Sequence, residues 1–414
     1  MKIRIFFMRA IFNKLFPLSL RGGALASKFI LIIFISHYYD LSNLGEYALV
    51  VAGVSYVGYL LGFDFYTYSS RKIIGAPEIK QASYLKNQFS LYFLHYFLLI
   101  SCLLMAFVIS PPWINLAIVF VALIILEHCS QEVMRLLVIY EHPLSANIQF
   151  FIRNGLWVYI YILFVIINGH IDFNYIWCFW ISAEIVSLFF ISIILKKIPL
   201  PLILKSEINW RWIIEGMKVC LPLLISTLSL RGIFTADRYI LGIYDSKEIV
   251  GIYSYFSSFS SSIMAFVDAG VVMLFYPRLV KYAKDGNKER FTSTKSKFLK
   301  YLILTSVIIS FILILCVPLL SELSGKKDFL NSLPLFYVLL SGSIIYCISL
   351  VYHFELYAKN NDKAIITSSV VAFCISVLLM FILGSLYSSL GIAISQLIGI
   401  IILFLAKFKF CKTG

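Results

Sequence analysis

Several ionisable side chains stand inside long apolar stretches of the sequence, where a charge is energetically costly. Lys28 and Arg231 are cations, and Glu127, Glu184 and Asp268 are acids. A charged group costs at least about 2.5–3.5 kcal/mol at the centre of a membrane helix. Such groups therefore pair with one another or face a water-filled cavity, which makes them candidates for binding a charged ligand.

The cations suit an anionic ligand, above all a phosphate or pyrophosphate. We expect Lys28, Arg231 and Arg238 to bind the anionic head group of a substrate. Structural roles compete with this interpretation. Lys28 would extend toward the aqueous face, Arg231 would pair with Asp268, and Arg238 would pair with its neighbour Asp237.

The acids indicate a site for a coupling ion. A carboxyl group in a low-dielectric environment can hold a proton near neutral pH. Asp268, Glu184 and Glu127 are therefore the candidates for coupling to H⁺ or Na⁺. Glu184 would otherwise hydrogen-bond a neighbouring helix, and His95 is interpreted as a packed polar residue. No spacing indicates a resident metal, and we expect no cofactor.

A run of aromatic and hydroxyl side chains, YSYFSSFSSS, extends from Tyr253 to Ser262. Small hydroxylated residues are common where membrane helices pack against each other. Aromatic rings also stack on sugar faces while hydroxyls bond them. The run therefore predicts either a helix–helix contact or a wall that accepts a sugar.

The bulk composition places these residues in a membrane protein. Of 414 residues, 61% are hydrophobic and 14% are charged, and the mean hydropathy is +0.91. A soluble domain has about 45–50% apolar and about 25% charged residues. There is too little polar surface to cover a soluble globule of this size. The eight cysteines lack CxxC spacing, so we expect them to act as small hydrophobic residues.

Apolar runs long enough to cross about 30 Å of hydrocarbon recur along the chain. They predict an all-α polytopic membrane protein with about twelve transmembrane helices in two six-helix bundles. The predicted spans are 18–38, 47–66, 89–109, 113–131, 155–171, 176–195, 215–234, 251–275, 301–320, 332–352, 364–386 and 391–407.

The distribution of basic residues predicts the orientation. With the N-terminus in the cytoplasm and alternating spans, nearly all of the 35 Lys and Arg residues fall in cytoplasmic segments. The opposite face holds only Lys247, Lys326 and Lys327, and Lys28, Arg231 and Arg238 lie in or beside spans. The net charge of +14 is therefore a topology signal and does not indicate nucleic-acid binding. We expect both termini to be cytoplasmic.

Two halves with tandem pseudo-symmetry follow from a short repeat. YDLSNLGEY (Tyr39 to Tyr47) follows the first span, and YDSKEIVGIY (Tyr244 to Tyr253) follows the seventh. An acidic residue ends or interrupts the span after each copy, Asp64 in the first and Asp268 in the second. The copies are six spans apart, so they have the same orientation, a layout found in transporters.

The repeat divides the chain into an N-terminal bundle, 1–200, a cytoplasmic linker, 201–218, and a C-terminal bundle, 219–414. Apolar residues in the linker recur at helical spacing, which predicts an interfacial amphipathic helix or a plain continuation of the seventh span. These residues are Trp210, Ile213, Ile214 and Met217.

Short loops and missing motifs exclude most enzyme classes. No predicted outer loop exceeds roughly a dozen residues, whereas membrane polymerases and glycosyltransferases need a large one to hold their substrate. The sequence contains no Walker P-loop, HExxH or GxSxG motif. We therefore expect a protein that is not an enzyme.

The chain resembles the polysaccharide-unit flippases, the O-antigen (Wzx-type) branch of the multidrug/oligosaccharidyl-lipid/polysaccharide exporter superfamily. The resemblance covers essentially the whole chain. It rests on LGEYALV, on GFDF with Arg71 after it, on EVMRLLVIYEHPLSANIQFFIRNGLW, and on TADRYILGIYDSKEIVGIYSYFSSFSSSIMAFVDAG with the later FYPRLVKYAKDGNKERF.

This resemblance implies a transporter of the bacterial inner membrane. It would move a polyprenyl-pyrophosphate-linked oligosaccharide repeat unit from the cytoplasmic to the periplasmic leaflet by alternating access, coupled to an ion gradient. It also implies a V-shaped pair of six-helix bundles with a cationic central cavity. Membrane lipids and the polysaccharide polymerase machinery are the further partners expected for surface polysaccharide or lipopolysaccharide synthesis.

Two other functions stay open. A multidrug exporter of the same superfamily would favour acids in its cavity, and Lys28 and Arg231 argue against it. A membrane polymerase or transferase would need catalytic carboxylates or histidines on a large outer loop.

Overall fold

The computed structural model describes residues 2–109, 114–169, 171–198 and 200–413 and is almost entirely helical over them. No strand occurs in these ranges. The predicted fold class, an all-α polytopic membrane protein, is confirmed. Residue 113, the predicted start of the fourth span, lies outside the described residues.

Eighteen α-helices make up the described chain. The first ten are α1 (Lys2–Tyr38), α2 (Leu41–Gly62), α3 (Tyr66–Ile73), α4 (Glu78–Ile109), α5 (Ile114–Ile139), α6 (Pro143–Phe151), α7 (Trp157–Asn168), α8 (Tyr175–Leu188), α9 (Ile191–Leu195) and α10 (Leu200–Lys205). The others are α11 (Trp210–Ile233), α12 (Ala236–Tyr244), α13 (Lys247–Val267), α14 (Met273–Lys284), α15 (Lys288–Leu323), α16 (Lys327–Asn331), α17 (Leu333–Ala358) and α18 (Asp362–Thr413).

Two π turns interrupt these helices, each beginning at or next to a charged residue. Ile152–Leu156 joins α6 to α7, and Asp268–Val272 joins α13 to α14. A π turn inserts one extra residue into the helical ladder and is frequent at functional sites. The fifth and eighth spans are thus continuous but deformed helices.

Eleven helical segments in the described ranges are long and apolar enough to cross a membrane. The last, Asp362–Lys412, has 51 residues, more than twice the number needed for one crossing. Ser388 has φ 54° and ψ −135°, so the helix ends there and a new one begins. Gly391 packs against the backbone of Leu383 and Gly384, so the two parts form an antiparallel hairpin. The predicted spans 364–386 and 391–407 are these two parts.

Most helices are longer than the predicted spans. Helix α15 begins at Lys288, where Asn287 caps it by accepting a hydrogen bond from the Arg290 amide over 3.0 Å. The predicted span begins at 301, because hydropathy detects only the part of the helix that is apolar enough to lie in hydrocarbon. Helix α11 runs unbroken from Trp210, so the linker residues before the seventh span continue that helix.

The described chain divides into two compact units. The first comprises residues 1–34 and 54–224, and the second comprises 35–53 and 225–414. The division at 200 and 219 inferred from the repeat stays a prediction about domains.

In the first unit, the loops predicted to be cytoplasmic lie together. The Tyr140 hydroxyl donates to Gln81 Oε1 over 3.0 Å, and Lys197 Nζ donates to the Tyr140 carbonyl over 2.9 Å. Farther along, the Asn209 amide donates to Asn87 Oδ1 over 2.8 Å. An apolar core supports this end of the unit, formed by Ile73, Ala82, Leu85, Val133, Leu136, Leu137, Tyr140, Ala146, Ile194, Ile198 and Ile203.

In the second unit, loops predicted to share the outer face are in contact. Lys247 Nζ lies 3.0 Å from Glu46 Oε2, and Lys326 Nζ donates to the Tyr39 carbonyl over 2.6 Å. Lys295 and Lys359, predicted on the inner face, both pair with Glu355. These groupings agree with the predicted alternation of the spans.

The two copies of the repeat pack against each other in the second unit. A Cβ added to Gly45 would lie 2.0 Å from the Lys247 carbonyl oxygen, and one added to Gly251 would lie 2.3 Å from the Leu41 carbonyl oxygen. Lys247 and Leu41 each stand four residues before the glycine of their own helix. Each repeat glycine therefore contacts the same position of the other copy, and α2 and α13 cross at backbone contact distance.

The acid that follows each copy of the repeat lies where a helix ends. Helix α2 ends at Gly62, and Phe63 and Asp64 have positive φ values of 52° and 49°. Helix α13 ends at Val267, and the π turn begins at Asp268. The prediction that an acid ends or interrupts each of these spans is thus correct.

Candidate functional site

A cluster of charged side chains lies inside the first unit. Lys28 lies on α1, Glu127 on α5, Arg153 on the π turn and Glu184 on α8. The apolar spacing of these helices places their polar residues inward, where Arg153 is 4% and Glu184 is 0% exposed. The structure thus brings together three residues singled out in the sequence and adds a fourth, Arg153.

Arg153 neutralises Glu127. Its Nη1 lies 3.2 Å from Glu127 Oε1 and also donates to the Glu127 backbone carbonyl over 3.2 Å. The Arg153 Nε has no hydrogen-bond partner in the described part of the chain. A buried guanidinium without its carboxylate would be strongly destabilising, so this pair holds the π turn against α5.

Glu184 is the most deeply buried acid of the cluster. Its Oε1 accepts from Trp180 Nε1 over 3.3 Å, and the Glu127 carboxyl group interacts with it electrostatically. Its Oε2 receives no hydrogen bond from any ordinary donor in the described residues. The structure thus places Glu127 and Glu184 in one cluster, and their role in binding a coupling ion stays a prediction.

Lys28 is the most exposed member of this cluster. Its side chain is exposed, and it interacts electrostatically with Glu127 and Arg153. The side chain of Glu127 is 23% exposed, whereas Arg153 and Glu184 are buried. Because a charge that faces lipid is costly, we expect the exposed ammonium to face water. Extension of the Lys28 side chain toward the aqueous face of the membrane would also bring the ammonium into water.

A second buried acid in this unit, Glu132, is absent from the sequence-based candidates. It pairs with Arg135 and accepts from Gln88 Nε2 over 2.8 Å and from the Tyr92 hydroxyl over 3.1 Å. These donors leave it well satisfied as a carboxylate. Its spacing of three residues from Arg135 on one helix face was the signal that could have found it.

His95 and His128 pack within this unit. His95 Nδ1 lies 2.7 Å from the Leu61 carbonyl oxygen, in agreement with a packed polar role. His128 Nδ1 lies 2.6 Å from the Tyr96 hydroxyl, and its Nε2 lies 4.0 Å from Glu132 Oε1.

In the second unit, Arg231 and Asp268 are electrostatic neighbours. Arg231 lies near the end of α11 and Asp268 opens the π turn, and both are exposed. Tyr346 on α17 lies beside both charges. Arg231 therefore interacts electrostatically with Asp268, and an ion pair between the two stays a prediction.

Arg238 belongs to a separate hydrogen-bonded network. Its guanidinium donates to the Phe234 carbonyl, to Asp237 Oδ1 and to Ser257 Oγ over 2.7, 3.1 and 2.9 Å. Asp237 is 0% exposed and also accepts from Tyr253 and Gln396 over 3.0 and 2.9 Å. This arrangement fits a structural ion pair, and a role of Arg238 in substrate binding stays a prediction.

The aromatic and hydroxyl run of α13 is buried. Tyr255 and Phe256 pack on Phe329 with ring centroids 4.3 and 6.1 Å apart. Ser260 and Ser262 donate to carbonyls of their own helix over 2.9 and 2.6 Å. The helix-packing interpretation is therefore the one that the structure shows, and these residues do not form an open wall for a sugar.

Within the described residues, no group of three or more His, Cys, Asp or Glu side chains could hold a metal ion. What the two clusters offer chemically is charge. Each cluster contains an exposed cation, Lys28 or Arg231, with an acid beside it.

Comparison with solved structures identifies chains of the same fold. A multidrug resistance MATE family transporter of the MOP superfamily, inward-facing, matches with a TM-score of 0.77 and 13% identity over 94% of each chain. The lipid II flippase MurJ, inward closed, matches with 0.71 and 14% identity over 96% of this chain and 87% of its own. A mutant of the Vibrio cholerae MATE transporter VcmN matches with 0.60 and 16% identity over 98% and 97%.

The sequence matches no family model and no curated protein. At the identities of the structural matches, the likeness shows the fold. The chain is a multi-pass membrane protein with the fold that MATE transporters and MurJ share.

Proposed function

We propose that this protein is a flippase for a polyprenyl-pyrophosphate-linked oligosaccharide. It moves the repeat unit from the cytoplasmic to the periplasmic leaflet of a bacterial inner membrane, with both termini in the cytoplasm. The observation that carries the proposal is an exposed cation inside an apolar span of each unit, Lys28 in the first and Arg231 in the second. These spans are equivalent in the repeat.

Flipping such a lipid requires an anion site within the membrane. The sugar and pyrophosphate must cross hydrocarbon while the polyprenyl tail stays in lipid. An ammonium and a guanidinium that face water inside the membrane meet the charge of the pyrophosphate. No bond is made or broken in this step, so no catalytic residue is required.

The proposal draws support from the fold as well. The name of one structural match describes a lipid flippase and those of the others describe multidrug transporters. A cavity for cationic drugs would need an unpaired acid. In the first unit, Glu127 is paired with Arg153 and stands beside Lys28. The charges of this chain therefore favour an anionic cargo.

Transport works by alternating access and is driven by an ion gradient, with Glu127, Glu184 and Asp268 as the coupling residues. Each of these acids lies in a cluster with one of the two exposed cations. Substrate and ion therefore affect each other's binding electrostatically.

Deletion of the gene in its host tests the proposal. Lipid-linked repeat units should accumulate on the cytoplasmic leaflet, and surface polysaccharide should be missing. Plasmid-borne wild-type protein should restore the polysaccharide, whereas Lys28→Ala and Arg231→Ala should not, at equal amounts in the membrane. Arg211→Ala is the matched control, because this side chain is 91% exposed at a helix start and should be dispensable.

Three outcomes would overturn the proposal. Normal surface polysaccharide in a deletion strain without a second flippase would show that the protein does not move the repeat unit. Resistance to cationic drugs that depends on the protein would favour the multidrug exporter. Joining of sugar units by the purified protein would favour a polymerase.

A further inference from the structure

We propose that a surface pocket of the first unit binds the sugar of the lipid-linked repeat unit before transport. The pocket has a volume of about 520 Å³ and lies between the start of α4 and the segment that leads into α11. Ligand pockets commonly have volumes of about 300–1,000 Å³. The inference rests on the proposed function for the identity of the ligand and on the residues of the pocket for its chemistry.

Two distant parts of the chain line the pocket. Helix α4 contributes Ile79 and Ser83, and residues 206–209 and Trp210 form the other side. Ile79 is 71% and Trp210 is 52% exposed, so apolar surface is open beside the polar groups. An aromatic ring next to several hydrogen-bonding side chains in a concave surface is typical of a site for a small polar ligand.

Hydrogen bonds hold the segment before α11 in place. The Asn209 amide donates to Oδ1 of the buried Asn87 over 2.8 Å, and Asn209 Oδ1 accepts from the Trp212 amide over 2.9 Å, which caps α11. Ser206 Oγ donates to the Leu202 carbonyl over 2.9 Å. The polar groups of the pocket are therefore positioned before a ligand arrives, which lowers the entropy cost of binding.

Other polar groups of the pocket keep unused hydrogen-bonding capacity. Within the described part of the chain, Glu207 has no ion-pair partner, and Asn209 Nδ2 and the Ser83 hydroxyl have no hydrogen-bond partner. A carboxylate accepts hydrogen bonds, an amide nitrogen donates them, and a hydroxyl does both. Together these groups match the hydroxyls of a sugar, each of which donates one hydrogen bond and accepts others.

The charge of the pocket favours the sugar over the pyrophosphate of the same substrate. Of the described residues that line the pocket, Glu207 alone is charged. A carboxylate repels a phosphate but accepts strong hydrogen bonds from neutral hydroxyls. The half-exposed ring of Trp210 offers an aromatic face to the C–H groups of a sugar.

The position of the pocket suits a sugar attached to a membrane lipid. Trp210 is the first residue of α11, which is long and apolar enough to cross a membrane. The pocket therefore lies at the level of the lipid head groups, where the sugar of a lipid-linked unit also lies. The topology predicted from the basic residues places this end of α11 in the cytoplasm. Because tryptophan at this level also inserts among lipids, lipid head groups are the competing occupant.

Saturation-transfer NMR of the purified protein in detergent tests the pocket. The probes are the host's oligosaccharide, freed from its lipid by mild acid, and a mixture of free hexoses and N-acetylhexosamines. We expect magnetisation to pass from the wild-type protein to C–H protons of the oligosaccharide. Trp210→Ala should abolish this transfer, and Trp210→Phe, which keeps a ring, should retain part of it. Glu207→Gln should weaken binding about tenfold, since it removes a charged acceptor.

Tyr387→Ala is the matched control. Tyr387 is an aromatic residue that is 62% exposed and does not line the pocket, so its substitution should leave the transfer unchanged. Glu207→Gln also serves as the second variant in case Trp210→Ala does not fold, because Glu207 is exposed and makes no ion pair within the described residues.

Three outcomes would refute the pocket as a site for the repeat unit. The first is no transfer from the wild-type protein to the oligosaccharide, or equal transfer from Trp210→Ala. The second is transfer to the free monosaccharides alone, because the ligand would then not be the repeat unit. The third is transfer that is present in detergent and lost in bilayers of phosphatidylethanolamine and phosphatidylglycerol, because lipid head groups would then fill the pocket.

The measurement separates this inference from the proposed function, because it involves no movement of lipid between leaflets. Sugar binding that behaves as expected would support the pocket even if the protein moves no lipid-linked sugar. Transport by a protein that binds no sugar at Trp210 would refute the pocket and leave the proposed function in place.

Discussion

The contact between the two repeat glycines leads to a quantitative prediction. Gly45 on α2 and Gly251 on α13 let the two helix backbones touch, as small residues commonly do between membrane helices. In Gly45→Ala, the new Cβ would lie 2.0 Å from the Lys247 carbonyl oxygen. That atom is backbone and cannot rotate away. An unstrained contact requires the helices to separate by roughly 1 Å or more at this point.

Two opposing effects set the magnitude. Overpacking costs about 1–3 kcal/mol, whereas replacing a glycine inside a helix by alanine gains about 0.5–1 kcal/mol. We therefore expect Gly45→Ala to lower the free energy of unfolding by about 1–2 kcal/mol. Gly58→Ala is the matched control on the same helix, since nothing lies within 4 Å of its Cβ position. It should be neutral or stabilising by about 0.5–1 kcal/mol.

Denaturant unfolding of the purified proteins in the same detergent measures both values. Gly251→Ala should behave like Gly45→Ala, because its Cβ would lie 2.3 Å from the Leu41 carbonyl oxygen. The double variant should lose less than the sum of the single losses, since one separation of the helices relieves both clashes. Equal stability of Gly45→Ala and Gly58→Ala would refute the packing.

Three further predictions concern charge and topology. Asp237→Ala should lower the free energy of unfolding by about 3–5 kcal/mol, because it leaves the buried end of Arg238 unpaired. The change should be seen as a loss of monodisperse protein, and an unchanged unfolding midpoint would contradict this prediction. Arg231→Lys should reduce transport mildly if a positive charge suffices. It should reduce transport almost as much as Arg231→Ala if the guanidinium binds phosphate with two hydrogen bonds. Transport at the wild-type rate in both variants would remove Arg231 from the site. Cysteine labelling of intact cells should reach 324–330 and not 278–298, and labelling of both would rule out the twelve-span topology.

The sequence predicted the spans because bilayer thickness and hydropathy determine them. It located both parts of α18, which form one apolar helical segment from Asp362 to Lys412. The reversal at Ser388 follows from the length of the apolar run, since 51 residues far exceed one crossing. The helix ends were less predictable, because basic amphipathic extensions such as the start of α15 carry no hydropathy signal.

The charged cluster of the first unit could be predicted only in part. Lys28, Glu127 and Glu184 stood out because they interrupt apolar runs. The sequence predicts a loop position for Arg153, because the predicted fifth span begins at 155, two residues after it. The structure places it on a buried π turn opposite Glu127, where the ion pair offsets the cost of burial. Partners on distant helices leave no periodic signal in the sequence.

The hydrogen-bonded network of Arg238 shows the same limit in the second unit. From the sequence, Arg231 and Arg238 are both candidates for an anion site. Only the structure shows that Tyr253 and Gln396, from two other helices, complete the hydrogen bonds of Asp237 beside Arg238.

The central claim is that the protein moves a lipid-linked oligosaccharide between leaflets. The purified protein is placed in sealed vesicles that carry a polyprenyl-pyrophosphate-linked oligosaccharide on one leaflet. The measurement is the fraction of this sugar that an impermeant lectin or glycosidase reaches over time. The account predicts that this fraction rises with wild-type protein and stays at the protein-free level with Lys28→Ala or Arg231→Ala. Wild-type vesicles that show no more flipping than protein-free vesicles, under an imposed proton gradient of either direction, would contradict it.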